Sequence, residues 1–74
     1  MKMENVKKGD VVSNVEKPGV MYLVVEVGGL HGAKLLPFNY FAHVVAKKPL
    51  SECWDNDAPE WSSPSDLEFL GRID

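Results

Sequence analysis

His31, His43 and Cys53 are the only histidines and cysteine in the chain, and so its only soft nitrogen and sulfur donors. They stand twelve and ten positions apart. Structural zinc sites draw four ligands, commonly in close pairs such as Cys-x-x-Cys, and no such pair is present. A metal ion or other cofactor is therefore not expected. Cys53 beside either histidine would make a nucleophilic dyad, because an imidazolium stabilises a neighbouring thiolate. Its sequence neighbours Glu52 and Asp55 oppose that ionisation, so the expectation is a packed or loop thiol in a chain that is not an enzyme. Asp55-Asn56-Asp57 followed by Glu60 has the oxygen donors of a calcium loop, but lacks its central glycine and its bidentate glutamate at the required offset. No phosphate-cradling or dinucleotide fingerprint occurs.

The aromatic residues carry more information. Trp54 and Trp61 lie in the most polar stretch of the chain, among Asp, Glu, Ser and Pro. Two roles are open to them: closing over a small core, or anchoring a contact patch with Tyr40 and Phe41. Large rigid rings are efficient interface anchors. In the second role Asp55, Asp57 and Glu60 form an acidic rim, and the expected partner is a protein. Stacking of single-stranded bases normally comes with interleaved Lys and Arg, and the charges around these tryptophans have the opposite sign.

The formal net charge is −3, with 8 Lys and Arg against 11 Asp and Glu. Lysines concentrate before residue 50, whereas residues 51–74 carry seven acids against Arg72 alone. Overall acidity disfavours bulk attraction to phosphates. A nucleic-acid accessory role is the alternative, using Lys7, Lys8, Lys17, Lys34, Lys47 and Lys48, and it requires that they gather on one face. No run approaches the length of a membrane span, no apolar leader opens the chain, and one cysteine forms no internal disulfide; a cytoplasmic protein is expected.

These residues need a scaffold, and 74 residues supply one domain with a modest core. Residues 1–5 read as a leader. A first strand is expected over Asp10–Val15, then a tight turn at Pro18-Gly19. Val20-Met21-Tyr22-Leu23-Val24-Val25-Glu26-Val27 follows as the central strand, bracketed by Gly and Pro and rich in β-formers. Alternation places Met21, Leu23, Val25 and Val27 toward the core and leaves the other face partly covered. Gly28–Gly32 reads as a hairpin loop, with His31 an exposed turn residue, and Ala33–Phe38 as the returning strand, with Pro37 at its end or on a sheet edge. Residues 39–48 fit two patterns. A helix would be capped by Asn39, with Tyr40, Phe41, Val44 and Val45 as its stripe. A strand centred on His43–Ala46 is preferred for its Val-Val pair and aromatics. Residues 50–65 read as a long loop, with Ser63-Pro64 opening one helical turn. Leu67–Leu70 closes the fold, and Gly71–Asp74 is expected to fray.

The run Lys8-Gly9-Asp10-Val11-Val12, the Pro18-Gly19 step, the strand Tyr22–Val27 and the ending Pro64-Ser65-Asp66-Leu67-Glu68-Phe69-Leu70 resemble small SH3-like barrels of bacteria and phages. More loosely the layout is similar to KOW and Tudor-type modules. The resemblance implies an all-β fold: a five-stranded antiparallel barrel with a short helical turn before the last strand. The resemblance concerns the fold and leaves the activity open. The basic, glycine-bearing loop of KOW-type RNA binders has no counterpart, because Gly28–Gly32 contains neither Lys nor Arg.

Overall fold

The computed structural model describes residues 5–28 and 32–72. Five antiparallel strands form one sheet: β1 (Asp10–Asn14), β2 (Lys17–Val27), β3 (Ala33–Pro37), β4 (Glu60–Ser62) and β5 (Leu67–Arg72). Their spatial order is β4-β3-β2-β1-β5. A five-residue helix, α1 (Tyr40–Val44), follows β3, and 3-10 turns occupy Leu50–Glu52 and Pro64–Asp66. The predominantly β expectation holds, as does a Pro64-initiated turn before the last strand.

The outer strands β4 and β5 do not pair, so the sheet is not closed. It is nevertheless strongly rolled. In a flat sheet four strand steps of ~4.8 Å would hold β4 and β5 about 19 Å apart, yet only residues 63–66 join them, and three of these are wound into the 3-10 turn. Coiling brings the edges within reach. Asn14 Nδ2, on β1, donates to Ser62 Oγ, on β4, at 3.1 Å, and Val15 N–H donates to the Asp66 carbonyl at 3.0 Å.

The chain reverses between β1 and β2 at Val15-Glu16, not at Pro18-Gly19. Asn14 Oδ1 accepts the Glu16 N–H at 2.9 Å, a side chain standing in for a backbone turn bond. Pro18 and Gly19 instead lie within β2. Ser13 pairs with Met21 and Asn14 with Lys17, so residues 18–20 bulge out of the ladder. A bulge tolerates the missing proline N–H and uses the positive φ of Gly19, +89°.

The expected core face also needs correction. Tyr22 and Val24 are the most buried residues of β2, packed with Val6, Val12, Ala33, Leu35 and Leu67. Met21, Leu23 and Val25 are half-buried on the opposite face, against Leu36, Phe38, Ala42, Cys53 and Trp54. The reason is the roll of the sheet, which wraps around the Tyr22 face. The Met21 face is covered only by α1 and the segment after it. Val27 joins the Tyr22 cluster because the ladder slips at Val25: Val24 pairs with Leu35 and Glu26 with Lys34.

Residues 43–46 form no strand. Asn39 Oδ1 accepts the Ala42 N–H at 3.0 Å and starts α1. Lys47, with φ +55°, ends that segment, and the Lys48 N–H returns to the Ala42 carbonyl at 3.0 Å. Cap chemistry thus outweighs the β preference of the valine pair. The fourth strand is Glu60–Ser62, inside the stretch read as a loop. Pro37 ends β3 as expected. The β2–β3 hairpin is tied by Gly28 N–H to the Gly32 carbonyl at 3.1 Å. A Cβ on Gly32, φ +82°, would collide with the Ser62 carbonyl, so only glycine lets β3 and β4 meet there. Leader residues 1–4, Gly29-Leu30-His31 and Ile73-Asp74 lie outside the described residues.

Gly71 and Arg72 were expected to fray but complete β5. Arg72 is held by Asp10, whose side chain is 2% exposed. Arg72 Nε and Nη2 donate to Asp10 Oδ1 at 2.9 and 2.8 Å, and Lys7 N–H donates to Oδ2 at 2.9 Å. A carboxylate withdrawn from water requires such partners. Arg72→Leu is expected to lower unfolding free energy by about 2 kcal/mol, below the usual cost of breaking a buried pair because water reaches the guanidinium. Adding Asp10→Asn should restore part of that loss by removing the stranded charge. Urea denaturation of both single variants and the double variant checks this; strict additivity would refute the coupling.

Candidate interaction surface

Phe38 is the hub of the less covered face. It forms an isolated antiparallel bridge with Trp54, flanked by hydrogen bonds from Asn39 N–H to the Cys53 carbonyl (2.6 Å) and from Asp55 N–H to the Pro37 carbonyl (2.9 Å). The segment 53–55 thus runs beside 37–39. Three rings meet Phe38 edge-on: Trp54 at 5.0 Å, Tyr40 at 4.8 Å and His43 at 5.7 Å between centroids. Trp54 is only 7% exposed and belongs to the core, although its buried Nε1 has no hydrogen-bond partner among the described residues.

Cys53 is fully buried, and its Sγ donates to the carbonyls of Pro49 (3.2 Å) and Lys48 (3.4 Å). His43 Nδ1 lies 3.3 Å from the same Lys48 carbonyl. Cysteine and histidine therefore meet on a shared backbone acceptor instead of on each other. The thiol tethers residues 48–53 and has the surroundings of a structural group. Among the described residues no three His, Cys, Asp or Glu side chains come together in a way that could hold a metal ion.

The expected acidic rim divides. Asp55 Oδ1 accepts the Asp57 N–H at 2.9 Å, which shapes its own turn, while Asp57 is exposed. Glu60 forms an ion pair with Lys17 and lies close enough to Tyr22 to act on its phenol. Burial and then Glu60 push the Tyr22 phenol above its ordinary range, and Glu60 raises the Lys17 ammonium likewise. Trp61 stands in β4 opposite Lys34, about half exposed.

Tyr40 and Phe41 are exposed, Phe41 to 68%. Alongside them Val44, Val45, Leu50 and Leu70 also leave large apolar areas in solvent. An apolar groove of about 300 Å³ is lined by Val11, Met21, Phe38, Leu50, Trp54, Leu70, Gly71 and Arg72. Of the expected binding residues, the fold brings Tyr40 and Trp54 together on Phe38, while Phe41 stands exposed on α1. Asp55 follows Trp54, and Glu60 and Trp61 stand apart in β4. Sequence reading did not single out Val44, Val45, Leu50 or Leu70. The helical stripe of residues 40–45 was the available signal for the first two; for the leucines the sequence offers none.

Trp54→Ala is expected to cost about 3–5 kcal/mol and to unfold the chain, whereas Trp54→Phe keeps it folded. Thermal unfolding followed by circular dichroism separates the two. A folded Trp54→Ala would refute the core assignment. Tyr22 and Lys17 set an alkaline limit. In the unfolded state the phenol ionises near pH ~10; in the fold it keeps its proton to higher pH. Stability is therefore full below that point and falls as pH rises through the window between the two pKa values. The raised Lys17 acts in the same direction. Melting temperatures should drop above pH ~10, and less steeply in Tyr22→Phe; an equal slope in both proteins would contradict this.

No helix among the described residues is long and apolar enough to cross a membrane. Compared with protein-family models, with curated proteins and with solved structures, the chain finds no match in any of the three.

Proposed function

We propose that this chain is a small interaction module that acts by binding a protein partner and not by catalysis. The observation that carries this reading is the open apolar groove lined by exposed Leu50 and Leu70 together with Phe38 and Trp54. Solvent-exposed apolar surface gathered around a concavity is the usual mark of a contact site. The site expected from sequence, the tryptophan-bearing acidic loop with its neighbouring aromatics, is thereby shifted. Trp54 lines the groove and Tyr40 packs on Phe38 beside it, whereas Phe41, Asp55, Asp57, Glu60 and Trp61 are not among its lining residues. The buried thiol, bonded to backbone carbonyls and not to His43, supports binding over nucleophilic chemistry.

We also infer that the sheet is an SH3-like barrel left open between β4 and β5. Its support is the fifth strand returning beside the first, the 3-10 turn before that strand, and the Asn14–Ser62 hydrogen bond across the roll.

Selection of a random peptide library on the immobilised chain tests the binding reading. Leu50→Ser/Leu70→Ser, verified as folded, should bind the selected peptides at least tenfold more weakly than the unaltered protein. Loss of binding in Trp61→Ala with retention in the double variant would return the site to the acidic loop. An unenriched library would overturn the reading.

A further inference from the structure

α1 carries its apolar side chains on the side away from the core. A surface helix ordinarily turns its large apolar residues inward and its charged ones to water. Here Ala42 alone is buried, whereas Tyr40, Phe41, Val44 and the C-cap residue Val45 are between 50 and 68% exposed. Tyr40 and Val44 stand four positions apart, as do Phe41 and Val45, the spacing at which helical side chains are neighbours. No Asp, Glu, Lys or Arg occurs from Leu35 to Ala46, so no charge interrupts the stripe. A helix of five residues gains little from its own hydrogen bonds and depends on packing. The stripe is nevertheless held in place. Asn39 caps α1, Tyr40 packs edge-on against Phe38 at 4.8 Å, and the Lys48 N–H returns to the Ala42 carbonyl.

At these exposures the four side chains leave roughly 500 Å² in solvent, toward the upper end of the largest apolar patch on an ordinary monomer. We propose that a second copy of the chain covers this patch, α1 packing antiparallel to α1 across a two-fold axis in a reversible dimer. In such a contact each copy supplies the same surface, and the pair withdraws about 1,000 Å², the lower bound for a specific interface. An uncharged stripe is complementary to itself, because apolar side chains meet apolar side chains and no charge is stripped of water. Antiparallel packing also sends Lys47 and Lys48, which follow the stripe, to opposite ends of the contact. A chain of 74 residues with a modest core gains from the exchange, since association adds buried apolar area that the fold alone lacks. A bilayer is the less favoured cover: α1 is five residues long, and anionic headgroups repel a chain of net charge −3.

Neither Phe41 nor Val44 lines the groove, so the dimer stands or falls apart from the binding reading. Sedimentation equilibrium of the full chain, over a concentration series from micromolar to millimolar, should show a reversible monomer–dimer exchange. Phe41→Ser/Val44→Ser, verified as folded by circular dichroism, should associate at least tenfold more weakly. Leu50→Ser/Leu70→Ser, which alters the groove instead, should associate as the unaltered chain does. A protein that stays monomeric at every concentration overturns the proposal. So does a dimer that survives Phe41→Ser/Val44→Ser, because its interface then lies elsewhere. Cosedimentation of the monomer with phosphatidylcholine or phosphatidylserine vesicles, lost in Phe41→Ser/Val44→Ser, would assign the stripe to a bilayer and likewise overturn the dimer.

Discussion

The buried carboxylate of Asp10 fixes more of this fold than any other polar group. It lies at the first residue of β1, takes Arg72 from the last position of β5 and the Lys7 N–H from the approach to the sheet. Ionised groups enter an interior only when their hydrogen-bonding capacity is met, so the two chain ends must assemble together. With β5 held in place, Leu70 and Gly71 stand beside Val11 and form one wall of the groove. The contact that closes the fold therefore also positions the surface read as functional.

β2 carries the second constraint. A chain of this size has a single sheet, and its longest strand serves both faces. Tyr22 and Val24 fill the wrapped side, while Met21, Leu23 and Val25 look toward a side with less cover. α1 and residues 50–54 shield that second side only in part. Burying Ala42 alone, α1 turns Tyr40, Phe41 and Val44 to solvent, an arrangement that contributes little to folding and is consistent with use in binding.

Much of this was legible in the residues. Alternation of β-branched and aromatic side chains located β2, Pro37 marked the end of β3, and Ser63-Pro64 marked the turn before β5. These are local signals, set by φ restriction and by the two-residue period of a strand. Pro18-Gly19 was misread because the same pair suits a turn or a bulge, and only the pairing of Asn14 with Lys17 distinguishes them. Residues 39–48 satisfied two periods at once, and the Asn39 cap decided between them.

What the sequence determined by itself was the β character, the place of the long central strand, and a lack of the paired Cys and His ligands that structural zinc sites use. Which face of β2 became the deeper core was a tertiary decision, because it follows from the direction in which the sheet rolls. The same holds for the two tryptophans. Trp54 and Trp61 sit in similar polar surroundings along the chain, yet one packs on Phe38 and the other lies in an outer strand. Leu50 and Leu70, twenty positions apart, share a groove only because the β5 edge curls toward the segment after α1. Pairings at that separation depend on long-range geometry and leave no local periodic trace.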